Sequence, residues 1–395
     1  MIRALVLFGT RPEVIKLAPV VRALEARPES FRVTTVASGQ HKDLLYPFAA
    51  HFGLPIHEDL KVMRPGQNPS EVCGRVLAAL DAILAKESFD VLLVQGDTTT
   101  AMAGALAAFH RRIPVGHVEA GLRSGDPTSP FPEEMNRRLV TRLATFHFAA
   151  TSHNREILLR EGVAAEKIFV TGNPVVDALQ GVLGRSTPST HMQRLLESVK
   201  GRRLLVLTTH RRESFGEKLA SNLEALRAFV VAHESVHLVF PVHPNPIVRE
   251  AAREILDGHP RIHLLEALGY DDFVFLLKEA WLIVSDSGGV QEEAPTLGKP
   301  LLVLRENTER PEVLESGVAR LVGGSAERLA ELLEEAYAPG SWAEGVAGRP
   351  NPFGRGDAGD QIATALLKAL PPAASPEKDP DPPALPALGT VPPPN

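Results

Sequence analysis

Short apolar runs alternate along the chain with longer stretches in which apolar residues recur every three or four positions. The runs at 2–8, 31–36, 89–94, 113–118, 145–149 and 168–170 read as strands between turn-forming residues. Between the first two, Val14, Leu17, Ala18, Val21 and Leu24 share one face of a helix. Strands alternating with helices predict βαβ units and a parallel sheet. Gly172-Asn173-Pro174 interrupts the series, and 184–189 is rich in turn formers, so this region reads as a linker. A second series then runs through 203–209, 236–240, 262–265, 281–285 and 300–304. A chain of 395 residues exceeds what one core usually supports. The pattern therefore predicts an α/β protein of two doubly wound, Rossmann-like domains facing a central cleft. From Pro371 onward the chain is crowded with proline and alanine and has no aromatic residue, so 371–395 reads as a disordered tail.

Composition narrows the partners. A net charge of -6 and a pI near 6.2 argue against a general nucleic-acid or membrane-surface binder, while local arginine clusters still suit a small anion. The single cysteine, Cys73, excludes an intramolecular disulfide framework and any multi-cysteine metal centre. The first apolar run is too short for a secretory signal, and none approaches the ~20 residues of a membrane span. A cytoplasmic protein is expected.

The chemistry concentrates where strands end. Asp97 follows the strand at 89–94, Glu119 follows the strand at 113–118, and Glu133 opens a helix-like stretch. Ligands of open parallel sheets bind beyond the carboxyl ends of the strands, so these carboxylates point to proton transfer in one crevice. Ser285-Asp286-Ser287-Gly288-Gly289 leaves a strand and opens a helix, a setting in which glycine amides and the helix dipole favour a phosphate. Glu292 and Glu293, one turn on, are expected to accept from sugar hydroxyls; an ordinary βα turn is the plain alternative. Arg11 and Lys16, after the first strand, bring cations to the cleft mouth, suited to gripping a diphosphate, or form a solvated cap. His210, Arg211 and Arg212 occupy the corresponding loop of the second series, and His243 stands after another strand. Glu133 and Arg137 are spaced for an i,i+4 ion pair, and the charges at 308–312 for a solvated loop. Gly354-Arg355-Gly356-Asp357-Ala358-Gly359 lacks a preceding strand, which speaks against a dinucleotide fingerprint. His117 and Glu119 lack the cysteine pair of a zinc deaminase. No catalytic metal and no cofactor are expected.

Taken together, the motifs at 9–16, 95–100, 117–123, 132–137, 209–213, 286–293 and 308–312 resemble the non-hydrolysing UDP-N-acetylglucosamine 2-epimerases. They occur in family order, from the first residue to about residue 365. The resemblance implies a GT-B-like fold, with domains at 1–172 and 173–350, a helix at 351–370 returning to the first domain, and a homodimer. It implies reversible conversion of UDP-N-acetylglucosamine to UDP-N-acetylmannosamine, which supplies N-acetylmannosamine units for surface polysaccharide. It further implies Ser287, Gly288, Gly289 and Arg11 on the diphosphate, Glu293 on the ribose and Phe273 on the uracil. Lys16, Arg137, His210 and Arg310 would line the sugar and phosphate side, with His210 counted among the catalytic candidates beside Asp97, Glu119 and Glu133. Gln40, His41 and His243 match an activating second nucleotide-sugar site in bacterial relatives. A GT-B glycosyltransferase, a hydrolysing epimerase and a silent nucleotide-sugar sensor are the competing readings.

Overall fold

The computed structural model describes residues 1–39, 42–64, 66–209 and 216–370. Gln40, His41, His210 and the expected tail lie outside the described residues. The first sheet contains β1 (Ile2–Phe8), β2 (Phe31–Ala37), β3 (Glu58–Asp59), β4 (Val91–Gln95), β5 (Val115–Ala120), β6 (Phe146–Ala149) and β7 (Ile168–Val170). The second contains β8 (Arg203–Thr208), β9 (Val236–Pro241), β10 (Ile262–Leu265), β11 (Leu282–Ser285), β12 (Leu301–Val303) and β13 (Ala319–Leu321). Both are parallel throughout, ordered β3-β2-β1-β4-β5-β6-β7 and β10-β9-β8-β11-β12-β13.

Continuous apolar runs make these strands because helices cover both sheet faces. In β1, Ala4, Val6 and Phe8 pack with the helix Arg11–Glu25, while Leu5 and Leu7 enter a separate core on the other face. In β8, Leu205 and Leu207 serve one core and Leu204 and Val206 the other. The order of each sheet reverses at one point, between β1 and β4 and between β8 and β11. The loops leaving β1, β4 and β11 therefore open into the crevice where such folds bind ligands. Two such sheets, each with its own cores, form the GT-B-like arrangement.

Two strands escape a reading by apolar runs: β3 is a polar pair, and β13 is only Ala319–Leu321. The expected linker is also corrected, because Pro174–Arg185 is a helix. Asn173 caps it, its side chain accepting from the Val175 N–H at 3.1 Å, and Pro174 suits the first helical position. Val175, Val176, Ala178, Leu179 and Val182 bury its inner face. Asp177 on this helix then accepts from the Ala358 and Gly359 N–H groups at 3.2 and 3.0 Å. It thereby caps the helix Ala358–Ala369, which lies against Arg11–Glu25. No strand stands before that helix within 322–357, so the glycine-rich 354–359 segment lacks a nucleotide-loop setting. No helix among the described residues is long and apolar enough to cross a membrane.

Candidate active site

A cavity of about 670 Å³ lies between the carboxyl ends of the two sheets. The first sheet lines it with Asp97, Glu119 and Glu133, and the second with Ser287, Gly288, Gly289 and Glu293.

Asp97 leaves β4 just before Thr98, whose side chain caps the helix Thr99–His110 by accepting from the Ala101 N–H at 3.0 Å. The Asp97 side chain is 25% exposed, and its Oδ2 accepts from Arg137 Nη2 at 2.6 Å. Asn136 Nδ2 donates to the Asp97 carbonyl at 3.0 Å, which fixes the loop. Burial raises the carboxyl's pKa; the Arg137 guanidinium opposes that rise and the Glu133 charge adds to it. Arg137 is turned to Asp97 and to Glu134, 3.4 Å away. The plain i,i+4 pair with Glu133 is therefore not formed, and Glu133 faces the cavity instead.

Glu119 corrects a sequence expectation, since it sits within β5 rather than beyond it. The register shifts between Val118 and Ala120, and Glu119 adopts φ +64°. A left-handed non-glycine residue costs roughly 1–3 kcal/mol, and the bulge re-aims its side chain out of the strand's alternation. The carboxylate accepts from Gln95 Nε2, from Lys16 Nζ and from Asn173 Nδ2, the last at 3.0 Å. Burial alone would raise its pKa, but the Lys16 and Arg310 charges hold it below the ordinary glutamate range.

The second wall starts from the equivalent strand. Asp286, after β11, is fully buried, accepts from Thr209 Oγ at 2.7 Å and is not among the described residues lining the cavity. Ser287 then caps the helix Gly288–Leu297 through a long contact from the Val290 N–H, 3.5 Å. A Cβ on Gly288 would stand 2.9 Å from Arg310 Nη1, so only glycine lets the guanidinium lie across this helix start. The charges at 308–312 are not solvated: Glu309, Arg310 and Glu312 are 5%, 7% and 7% exposed. Arg310 donates from Nε to Glu292 Oε1 at 2.5 Å and from Nη1 to Glu309 Oε1 at 2.7 Å.

Glu292 departs from its expected role on sugar hydroxyls, since Arg310 and Lys16 Nζ, the latter 2.9 Å away, engage its carboxylate. Glu293 does line the cavity and accepts from the Tyr270 hydroxyl at 2.9 Å. Burial pushes its carboxyl up to about 7 against that hydrogen bond.

Arg11 stands exposed at the mouth with its guanidinium 4.6 Å from the centre of the Phe48 ring, and Phe273 lines the same cavity. Arg137 is not among the described residues that line the cavity, and Gln40, His41 and His210 lie outside the described residues. His243 faces an adjoining cavity of about 300 Å³ that shares Arg11, Phe273 and Ser287 with the main one.

Three site residues escaped the sequence reading: Glu13, Gln95 and Asn173. Glu13 had a signal, the Thr-x-x-Glu spacing of a capping box. Its Oε2 accepts from the Gly9 N–H at 3.0 Å and from the Thr10 N–H and hydroxyl, both at 2.7 Å; Oε1 accepts from Thr98 Oγ at 2.9 Å. It thus ties the Arg11 loop to the Asp97 loop, and burial pushes its carboxyl to about 7 despite these donors. Among the described residues, no group of three or more His, Cys, Asp or Glu is arranged to hold a metal ion.

One wall therefore offers amides and a hydroxyl to an anion, and the other offers carboxylates to a proton. A family model for UDP-N-acetylglucosamine 2-epimerase matches residues 22–367. The UDP-N-acetylglucosamine 2-epimerase of Salmonella typhimurium is 45% identical over 370 residues, 92% of this chain and 98% of that protein. The Neisseria meningitidis UDP-GlcNAc 2-epimerase, solved with UDP-GlcNAc bound, superposes with a TM-score of 0.86 at 37% identity, covering 93% of this chain and 100% of that one. An S. aureus protein solved with UDP superposes with a TM-score of 0.87 at 38% identity, covering 94% and 97%.

Proposed function

The chain belongs to the UDP-N-acetylglucosamine 2-epimerase family, and from that premise we propose that its cleft works by breaking and remaking the bond between the sugar C1 and UDP. It is an isomerase, and the reaction converts UDP-N-acetylglucosamine reversibly to UDP-N-acetylmannosamine. The observation that carries this reading is the pairing of an anion-binding helix start with carboxylates across one cavity.

The C2 proton of the substrate is not next to a carbonyl, so removing it from the intact sugar is slow. Departure of UDP places positive charge at C1 and makes that proton acidic. A carboxylate takes the proton, the C2–H electrons form a C1=C2 double bond, and the C1–O electrons leave with UDP. Ser287, the Gly288 and Gly289 amides and Arg11 stabilise the departing diphosphate. Glu293 holds the ribose hydroxyls and Phe273 the uracil, while Lys16, Arg137, His210 and Arg310 supply charge on the sugar and phosphate side. The intermediate is 2-acetamidoglucal. Attack of a UDP oxygen at C1, with a proton delivered to the opposite face of C2, completes inversion. Two faces need two acid–base groups, to be drawn from Asp97, Glu119 and Glu133.

Incubation with UDP-N-acetylglucosamine in deuterated water tests the reading. Deuterium at C2 without an acceptor is expected. Transfer to an added acceptor with an unlabelled C2 would instead indicate a glycosyltransferase, and free N-acetylmannosamine a hydrolysing epimerase. Binding with neither outcome would indicate a sensor.

Two further proposals accompany this one. A second nucleotide-sugar molecule activates the enzyme, with Gln40, His41 and His243 as the candidate residues and His243 facing the cavity beside the main one; its signature is a sigmoidal rate curve that becomes hyperbolic in His243→Ala. The chain is also a cytoplasmic homodimer. Phe131, Met135 and Leu139 stand exposed at four-residue spacing, with exposed Phe109 on the adjacent helix Thr99–His110, a stripe that a second copy would cover. Light scattering should give twice the chain mass, falling to one chain in Leu139→Asp.

A further inference from the structure

Lys16 carries two carboxylates from opposite sides of the cleft. Glu119 comes from β5 of the first sheet, and Glu292, 2.9 Å from Lys16 Nζ, comes from the helix Gly288–Leu297 that follows the second sheet's β11. Arg310, also of the second half, grips Glu292 at 2.5 Å. All four side chains are buried. Buried charges are costly unless each finds a partner, so this chain of opposite charges is complete only while the two halves are together. With the halves apart, Glu119 and Lys16 stay on one side, and Glu292 and Arg310 on the other. Resting on the function proposed above, we propose that Glu292 is a positioning residue that, by holding Lys16 and Arg310 against the first half, sets the orientation and charge environment of Glu119 when the cleft is closed.

Facing Glu119 are Lys16, Arg310 and Glu292, with the neutral donors Gln95 and Asn173; facing Glu292 are Lys16, Arg310 and Glu119, with Glu293 beside it on the helix. Burial and the Glu119 charge raise the Glu292 carboxyl against the pull of Arg310 and Lys16. Withdrawing Glu292 leaves Lys16 to Glu119 and Arg310 shared only with Glu309, so the cationic pull on Glu119 is less offset. Glu119 then becomes a weaker base, and Lys16 loses one of the two contacts that place it. Glu292 does not line the cavity, so the nucleotide does not depend on it for contact.

The test compares wild type, Glu292→Gln and Glu292→Asp by C2 deuterium exchange, UDP affinity and the pH dependence of kcat. Glu292→Gln should lower kcat by about 10- to 100-fold, the range for a misplaced reacting group. UDP affinity should stay within about threefold, and the acid limb of kcat should move to lower pH. Glu292→Asp, which keeps the charge, should return that limb toward wild type. An unchanged kcat and limb in Glu292→Gln overturns the inference. So do equal losses of kcat and UDP affinity, and so does failure of both variants to fold, because each makes Glu292 structural. Absence of C2 exchange in the wild type removes the underlying function as well; exchange in the wild type with an unaltered variant removes the inference alone.

Discussion

The loops after β4 and after β11 occupy the same place in their sheets and carry opposite chemistry. Each runs from a buried strand through an aspartate to a hydroxyl residue that caps the next helix: Asp97-Thr98 in one, Asp286-Ser287 in the other. In the first, Arg137 holds Asp97 while a quarter of its side chain stays exposed, and Thr99 and Thr100 follow. In the second, Thr209 draws Asp286 into full burial, and Gly288 and Gly289 follow. A helix N-terminus favours negative charge in both places. The first loop meets that preference with its own carboxylate. The second buries its carboxylate and turns Ser287, Gly288 and Gly289 to the cavity, a setting that suits an anion arriving with a ligand. One topology thus yields a carboxylate-lined wall and an amide-lined wall through the choice of aspartate partner and the two residues after the cap.

The sharpest way to break the comparison is to neutralise the first wall. Asp97→Asn and Glu119→Gln should each lower kcat by about 10²- to 10⁴-fold, the usual range for losing a general acid or base. UDP affinity should change only a few-fold, as titration calorimetry would record. Parallel losses in both quantities would make the two walls alike and defeat the distinction.

Next in size is the second wall. Gly289→Val should block the amide face without removing a charge, and should weaken UDP binding by roughly 1.5–3 kcal/mol, the worth of hydrogen bonds to a charged group. An unchanged dissociation constant would show that the anion sits elsewhere.

A smaller effect comes from Glu293, whose carboxyl lies at about 7 in the unliganded protein. Ribose hydroxyls donate hydrogen bonds, so they favour the ionised form. Nucleotide binding should therefore release a proton below pH 7. Affinity should rise as pH climbs toward 7 and level off above it, by at most about tenfold per pH unit. Calorimetry in buffers of different ionisation enthalpy reads this release. In Glu293→Gln the component should vanish, leaving only the nucleotide's own phosphate titration.

How much of this was legible follows from the same physics. Strands such as β1 and β8 were readable because burial on both faces demands unbroken apolar residues. β3 and β13 were not, being too short for any pattern. Asp97 and Glu133 could be placed in the cleft from topology. The backbone of Glu119 could not, because a left-handed glutamate inside a strand leaves no mark in composition. The difference between Glu292 and Glu293 was hidden for another reason. Adjacent helical residues point about 100° apart, and both are buried, so nothing in the sequence tells which one lines the cavity. Asn173 was hidden by its dual nature, since Asn-Pro opens turns and helices alike.

The smallest expected effect on activity concerns the helix Ala358–Ala369, which sits on neither wall. Gly359 lies where a Cβ would come within 2.7 Å of the Pro19 carbonyl oxygen. Pro19 belongs to the helix Arg11–Glu25, whose first turns supply Arg11, Glu13 and Lys16 to the cleft. A rigid backbone oxygen cannot yield as a side chain does, so Gly359→Ala should push the two helices apart and destabilise the protein by about 1–3 kcal/mol. The Asp177 cap on Ala358 and Gly359 would be strained by the same shift. kcat and UDP affinity should both remain near wild type at temperatures below the lowered melting point, because Pro19 lies beyond Lys16, on the part of Arg11–Glu25 that does not line the cavity. If kcat falls with stability, the packing of the terminal helix reaches Lys16 after all, and the acid–base wall extends further from β4 and β5 than the cavity lining indicates.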